Sequence, residues 1–144
     1  MPSEPPAPSG LTKLSKKAAT REWLVNAEHD LRAAELLAAA TSPLPDVAVY
    51  HCQQAAEKAL KAFLFHRDIP FRKTHDLAEL GDERVRLDAS LAEVVDRAVD
   101  LTPFAWQFRY PAADRGEPSA EDAQEAIETA QATYDAVRTR IGAA

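Results

Sequence analysis

One cysteine, Cys52, stands in 144 residues, so neither an internal disulfide framework nor a multi-cysteine zinc site is open to this chain. Glycine is scarce, at four residues, and strand-type alternation or β-branched clustering is rare along the chain. Long apolar runs are missing too: none approaches the roughly 20 residues that a membrane span requires. The opening stretch, MPSEPPAPSG, lacks the apolar core of a signal peptide. Basic side chains are outnumbered, 17 against 23 acidic, for a formal net charge of −6 and a pI near 5.2. That balance excludes a globally basic coat for nucleic acid but leaves room for a local basic patch. These absences describe a soluble protein of a reducing compartment, expected in the cytoplasm and away from membranes.

What the chain has in quantity is alanine, about a fifth of its residues, the side chain that disfavours a helix least. The expected fold is therefore all-α. Residues 1–15, rich in proline and serine, cannot bury enough apolar surface to offset their ordering entropy and read as a disordered arm. Residues 16–144 read as one domain. A first helix is expected from about Ala18 to Ala40, with Trp23, Ala27, Leu31, Ala34 and Ala38 recurring on one face. Pro43 and Pro45 end it. Asp46 is the expected N-cap of a second helix reaching about His66. Thr74 is expected to cap a short helix, HDLAEL, which Gly81 stops. A fourth runs from about Asp88 to Leu101, with Leu91, Val94, Val95 and Ala98 inward. Ser119 caps the last, Ala120 to Arg140, with Glu121 and Asp122 at its positive dipole end. Four long helices and one short one predict an up-and-down bundle.

The second helix, VAVYHCQQAAEKALKAFLFHR, holds the densest chemistry. At about 100° per residue, His51, Gln54, Glu57, Lys58 and Lys61 share one arc of roughly 120°. Val49, Cys52, Ala56, Ala59, Leu60 and Phe63 fill the opposite arc. Tyr50, Leu64 and Phe65 lie among the polar residues, so that side is not simply solvated. Such a stripe suits a groove, an oligomer interface or a buried hydrogen-bond network. The alternative is an ordinary amphipathic helix with intrahelical pairs such as Glu57–Lys61.

The segments HCQQAAEKALKAFL, KTHDL and RYP occur in this order, with AEHDLRAAELL upstream, and in this the chain resembles the HEPN domain family over roughly residues 20–140. The resemblance implies a helical bundle that pairs into a homodimer. It implies either a metal-independent ribonuclease toxin, or a binding and partner module held with a minimal nucleotidyltransferase in a toxin–antitoxin-type system. The family's nuclease motif is an Arg followed by a His after four to six residues. An imidazole can move the 2′-hydroxyl proton while a guanidinium steadies the phosphorane. No arginine stands at that spacing before His29, His51, His66 or His75, and no histidine follows Arg109. The partner module, binding nucleotide or RNA, is therefore the expected function. A ribonuclease with a displaced active site and a purely structural interaction domain are the alternatives.

Carried over residue by residue, the resemblance marks Asp30, Gln54, Glu57, Lys58, Lys61, Thr74, His75, Asp76, Arg109 and Tyr110. Gln54, Glu57, Lys58, Lys61, His75, Arg109 and Tyr110 form the candidate ligand-binding set. The lysines would meet phosphate as point charges, Arg109 bidentately, while Gln54 reads a base edge or ribose hydroxyl and Tyr110 stacks. The competing arrangement pairs Asp30 with Lys58 or Lys61, and Arg109 with Glu57. Without the Arg–His spacing no catalytic residue is expected; no metal is expected, because no helix carries two histidines at ligand spacing, and no cofactor. Cys52 and Trp23 read as core. Phe104, Trp106, Phe108 and Tyr110 crowd a loop that is expected to be buried within the domain.

Overall fold

The computed structural model describes residues 13–81, 89–103 and 117–142, and every element among them is helical. The helices are α1 (Lys13–Ala39), α2 (Pro45–His66), α3 (Leu77–Leu80), α4 (Ala89–Ala98, tightening into a 3-10 turn over Val99–Leu101) and α5 (Ala120–Ile141). The all-α bundle expected from the alanine-rich sequence is the fold observed. Residues 1–12 of the expected arm lie outside the described residues, as does the RYP loop with Phe104, Trp106, Phe108, Arg109 and Tyr110.

Three boundaries differ from expectation, each for a local reason. Helix α1 starts at Lys13, five residues before Ala18; KLSKKAA contains no breaker, and lysine, leucine and alanine all favour a helix. Helix α2 is not capped by Asp46. Leu44 is its N-cap and Pro45 its first residue, since proline's fixed φ suits that position and its missing N–H is not needed there. Asp46 sits instead in the first turn, against the positive end of the dipole. The short helix is capped by Asp76, whose carboxylate accepts from the amides of Ala78 and Glu79. Thr74 accepts the amide of Asp76 one step earlier. At α5 the Ser119 cap is present as a full capping box with Asp122, and Gly142 closes the far end at φ +67°.

Helices α1 and α2 form an antiparallel hairpin. Lys16 meets Asp68, Trp23 meets Lys61, Asp30 meets Lys58, and the amide of Leu44 bonds the carbonyl of Leu37. As the α1 partner advances, the α2 partner recedes. The hairpin's lower end turns at Asp68, a non-glycine residue at φ 57°, a region that aspartate tolerates better than most side chains.

Helix α2 is the central rod. From Ala48 to Phe65 every residue except His51 is buried, so the sides that a helical wheel separates into polar and apolar are both covered. Trp23, Leu24, Ala27, Leu31 and Ala34 of α1 pack on it, as do Ala123, Ala126, Ala130, Tyr134 and Val137 of α5. Leu77, Leu80, Leu91, Val95 and Ala98 close the remaining side. Gly81 ends α3 at an ordinary negative φ, so its role is spatial: a Cβ placed there would stand 2.3 Å from Cγ1 of the buried Val95. Valine is stiff at χ1 and cannot swing clear.

Two tests follow from this packing. Gly81→Ala forces that overlap and should destabilise the fold by about 1–3 kcal/mol in denaturant melts. Cys52 has its thiol pushed up to about 12 by burial, with the negative charges of Asp30 and Glu35 adding to the effect. It should therefore ignore a water-soluble disulfide reagent at neutral pH until the chain is unfolded.

Candidate functional site

The polar stripe of α2 is an interior network built on two carboxylates. Asp30 projects from α1, where its place among Ala27, Leu31 and Ala34 on the inward face delivers it to α2. One oxygen, Oδ2, accepts from Lys58 Nζ at 2.7 Å, and the other, Oδ1, lies 2.8 Å from His51 Nδ1. Glu57 repeats the arrangement one turn along. Its Oε2 accepts from Lys61 Nζ at 3.2 Å, and its Oε1 lies 2.7 Å from His75 Nδ1. Gln53 Nε2 adds a bond of 3.2 Å to Glu57 Oε1 and one of 3.1 Å to the carbonyl of His75, while Gln54 Nε2 donates to Gln53 Oε1 at 2.7 Å.

Each carboxylate thus holds one lysine and one histidine. An ionised carboxylate can only accept, so Nδ1 of both rings carries the proton and Nε2 is turned away from the anchor. Each lysine–carboxylate pair sums to zero charge, so among the described residues the stripe holds no lysine without a carboxylate partner. Access is restricted as well. Lys61 and Glu57 are fully buried and Lys58 nearly so, while His51 and His75 keep about a quarter and a third of their side chains exposed. Lys61 also lies over the Trp23 ring, 5.4 Å from its centre, and Phe71 meets that ring edge-on. This cation–π contact supplies attraction that water would otherwise provide.

The structure therefore brings Gln54, Glu57, Lys58, Lys61 and His75 together, joined by Asp30, Gln53 and His51. Arg109 and Tyr110 lie outside the described residues. Gln53 and His51 carry no mark in the family resemblance, yet Gln53 links the Glu57 side of the network to Gln54. Its signal in the sequence is its place four residues before Glu57, at the border between the polar and apolar arcs of the helix. Thr20 Oγ1 and Trp23 Nε1 are buried on α1 with no hydrogen-bond partner among the described residues.

A cleft of about 380 Å³ lies elsewhere, between the end of α4 and the start of α5. Asp100, Asp122, Glu125 and Glu128 line it, with Arg97 as the one basic residue among its lining. That lining repels phosphate. Among the described residues, no group of three or more His, Cys, Asp and Glu is placed to hold a metal ion, and no helix is long and apolar enough to cross a membrane.

The network makes a measurable distinction between buried and exposed pairs. Replacing Lys61 by Met leaves Glu57 buried with its main counter-charge gone, which should destabilise the fold by about 3–5 kcal/mol. Replacing Lys16 by Met breaks only the surface pair with Asp68 and should change stability by about 0–1 kcal/mol. Denaturant melts of both variants check the contrast. Any shift that ATP produces in the wild-type melt should persist in Lys61→Met, because a buried lysine already paired with Glu57 offers the triphosphate nothing.

Comparison with known proteins agrees with this architecture. A family model described as the HEPN domain matches residues 20–140. The crystal structure of an archaeal HEPN homologue superposes with a TM-score of 0.67 at 27% sequence identity, covering 85% of this chain and 97% of that one. No curated protein matches the chain. With the family model spanning most of the sequence and the helical bundle shared with a solved homologue, this chain belongs to the HEPN domain family.

Proposed function

We propose that this chain is a binding and partner module, working with a minimal nucleotidyltransferase in a toxin–antitoxin-type pair. The observation that carries the reading is the closed charge balance around Asp30 and Glu57. Every cation of the α2 stripe is matched to a buried carboxylate, so the stripe serves as framework, and binding falls to the surface. The absence from the sequence of the Arg–His spacing used by the family's nucleases supports the same conclusion. Nucleotide or RNA remains the ligand class of this proposal, at a place other than the interior of α2.

Self-association is part of the reading. Val25 and Leu36 are exposed on α1 eleven residues apart, close to three full turns, and so stand on one face; Leu44 follows just past its end. Leu36 is 70% exposed. A homodimer covering such side chains would scatter light with a mass near twice 15.8 kDa. A monomer at every concentration would remove this part of the proposal. For the partner, the test is co-expression with the product of the neighbouring reading frame. If that product is a small nucleotidyltransferase, the two should co-purify as a defined complex. Separate elution at micromolar concentrations would reject the pairing.

A second reading, a metal-independent ribonuclease with a displaced site, has one observation in its favour. His51 and His75 are each anchored through Nδ1 by a carboxylate with Nε2 turned away, the orientation a proton-transferring imidazole needs. On the partner-module reading, purified protein leaves structured and unstructured RNA intact with or without divalent metal. Cleavage that disappears in His75→Ala would overturn it in favour of the nuclease.

A further inference from the structure

The cations that remain at the surface are unevenly placed. Residues 13–21 and 66–76 together hold seven of the 17 basic residues but only two of the 23 acidic ones. The fold joins these two segments at one pole of the α1–α2 hairpin. Lys16 bonds Asp68 at 2.7 Å, and Trp23 packs against Phe71. Lys17, Arg21, Arg67, Arg72 and Lys73 are exposed there. Acids temper the field: Asp68 pairs with Lys16, the exposed Asp76 adds its charge near Arg72, and Glu79, just beyond, pairs with Arg72. Glu22 adjoins Arg21 in sequence. Arg67 lies over the Phe63 ring, 5.1 Å from its centre. The excess positive charge is felt locally. His66 is held below its ordinary value of 6.5, first by burial and then by Lys16 and Arg67, against a weaker opposing pull from Asp68.

We infer that this pole is a docking surface for the phosphate backbone of single-stranded RNA. The chemistry of the pole selects that occupant. A docking face for a folded protein has an apolar centre, and among the residues whose burial is described the exposed large hydrophobic ones, Val25, Leu36 and Leu44, all lie outside both segments. Ile69 and Phe71 are turned towards the core. What the pole presents is charge on flexible stems, which neutralises a polyanion by releasing its counterions and needs no shape match. A loop and two helix ends suit a strand that can bend around them better than a rigid duplex groove. The acidic cleft between α4 and α5 disfavours the same ligand elsewhere. The inference rests on the nucleic-acid side of the function proposed above. It does not depend on the nucleotidyltransferase partner.

The experiment uses the full chain and a fluorescent single-stranded RNA of about 20 nucleotides, followed by anisotropy. If four cations each neutralise one phosphate, affinity should fall about 50-fold between about 50 and about 200 mM salt. Lys17→Glu combined with Lys73→Glu should weaken binding at low salt by tenfold or more. Arg32→Glu, an exposed change further along α1, should leave it unaltered. In the wild type, RNA should raise the pKa of His66, read from its imidazole proton resonances, because the strand cancels the field of Lys16 and Arg67. This readout needs no variant to fold. Absence of binding at low salt, unaltered binding by the double variant, or an unmoved His66 would each overturn the inference. So would polyglutamate displacing RNA at equal affinity, which would assign the pole to acidic proteins. Because the chain is tested alone, these outcomes are separable from success or failure of the co-purification.

Discussion

Burying a charge is the constraint around which this bundle is organised. Taking an ammonium or a carboxylate out of water is so unfavourable that each must meet an opposite charge and spend its remaining hydrogen bonds on neighbours. Helix α2 places Glu57, Lys58 and Lys61 in the middle of the protein, where none of them can reach solvent fully. The rest follows from that. Helix α1 has to deliver Asp30 opposite Lys58, the loop after α2 has to return His75 to Glu57, and Gln53 has to fill the last acceptor position. Trp23 completes the enclosure by presenting its ring face to Lys61. Helix, loop and neighbouring helix are thereby tied to the same three charges.

The arrangement separates framework from surface. A stripe of lysines and a glutamate on a helix has the composition of a phosphate site, and its residue types alone do not say which it is. The geometry decides by pairing. Each carboxylate takes one lysine on one oxygen and one imidazole on the other, so the interior is electrically closed. Outside, charge is sorted by region, with cations gathered at one end of the α1–α2 hairpin and carboxylates lining the cleft between α4 and α5. A protein of net charge −6 can in this way offer a positive face without a positive total.

Much of the fold was legible in the residues, and the misses have physical causes. Periodic apolar positions locate α1 and α4, proline and glycine breaks bracket α2 and α3, and Ser119 marks the start of α5, where it pairs with Asp122. Proline reads as a terminator where it also initiates, which moves the N-cap of α2 two residues, from Asp46 to Leu44, and its first residue onto Pro45. Thr74 and Asp76 are both competent caps, and a distinction between them requires knowing which amide each can reach. The stripe itself was visible, and so was the Asp30–Lys58 pairing as one of its alternatives. Its burial on all sides was not. A helical wheel reports faces relative to one axis, whereas the number of neighbours packed around that axis is a property of the whole chain. Gln53 escapes the wheel for this reason, since it sits at the border of the two arcs and gains its partners only when His75 returns beside it.

Helix α2 brings Ala48, Ala55, Ala56, Ala59 and Ala62 to the core, and α1 sets Ala27 and Ala34 among Trp23, Leu24 and Leu31. Small methyl groups let helices come close but interlock less than large side chains, so they discriminate weakly against a slide of one turn, about 5.4 Å, of one helix along the other. The polar contacts forbid that motion. A slide of one turn would carry Asp30 away from Lys58 and strand both charges in the interior, while pulling Lys61 off its ring. The salt bridges thus act as detents, adding to the apolar packing a strong preference for one axial register. Replacing them with apolar residues of matching volume would keep the helices together and weaken that preference.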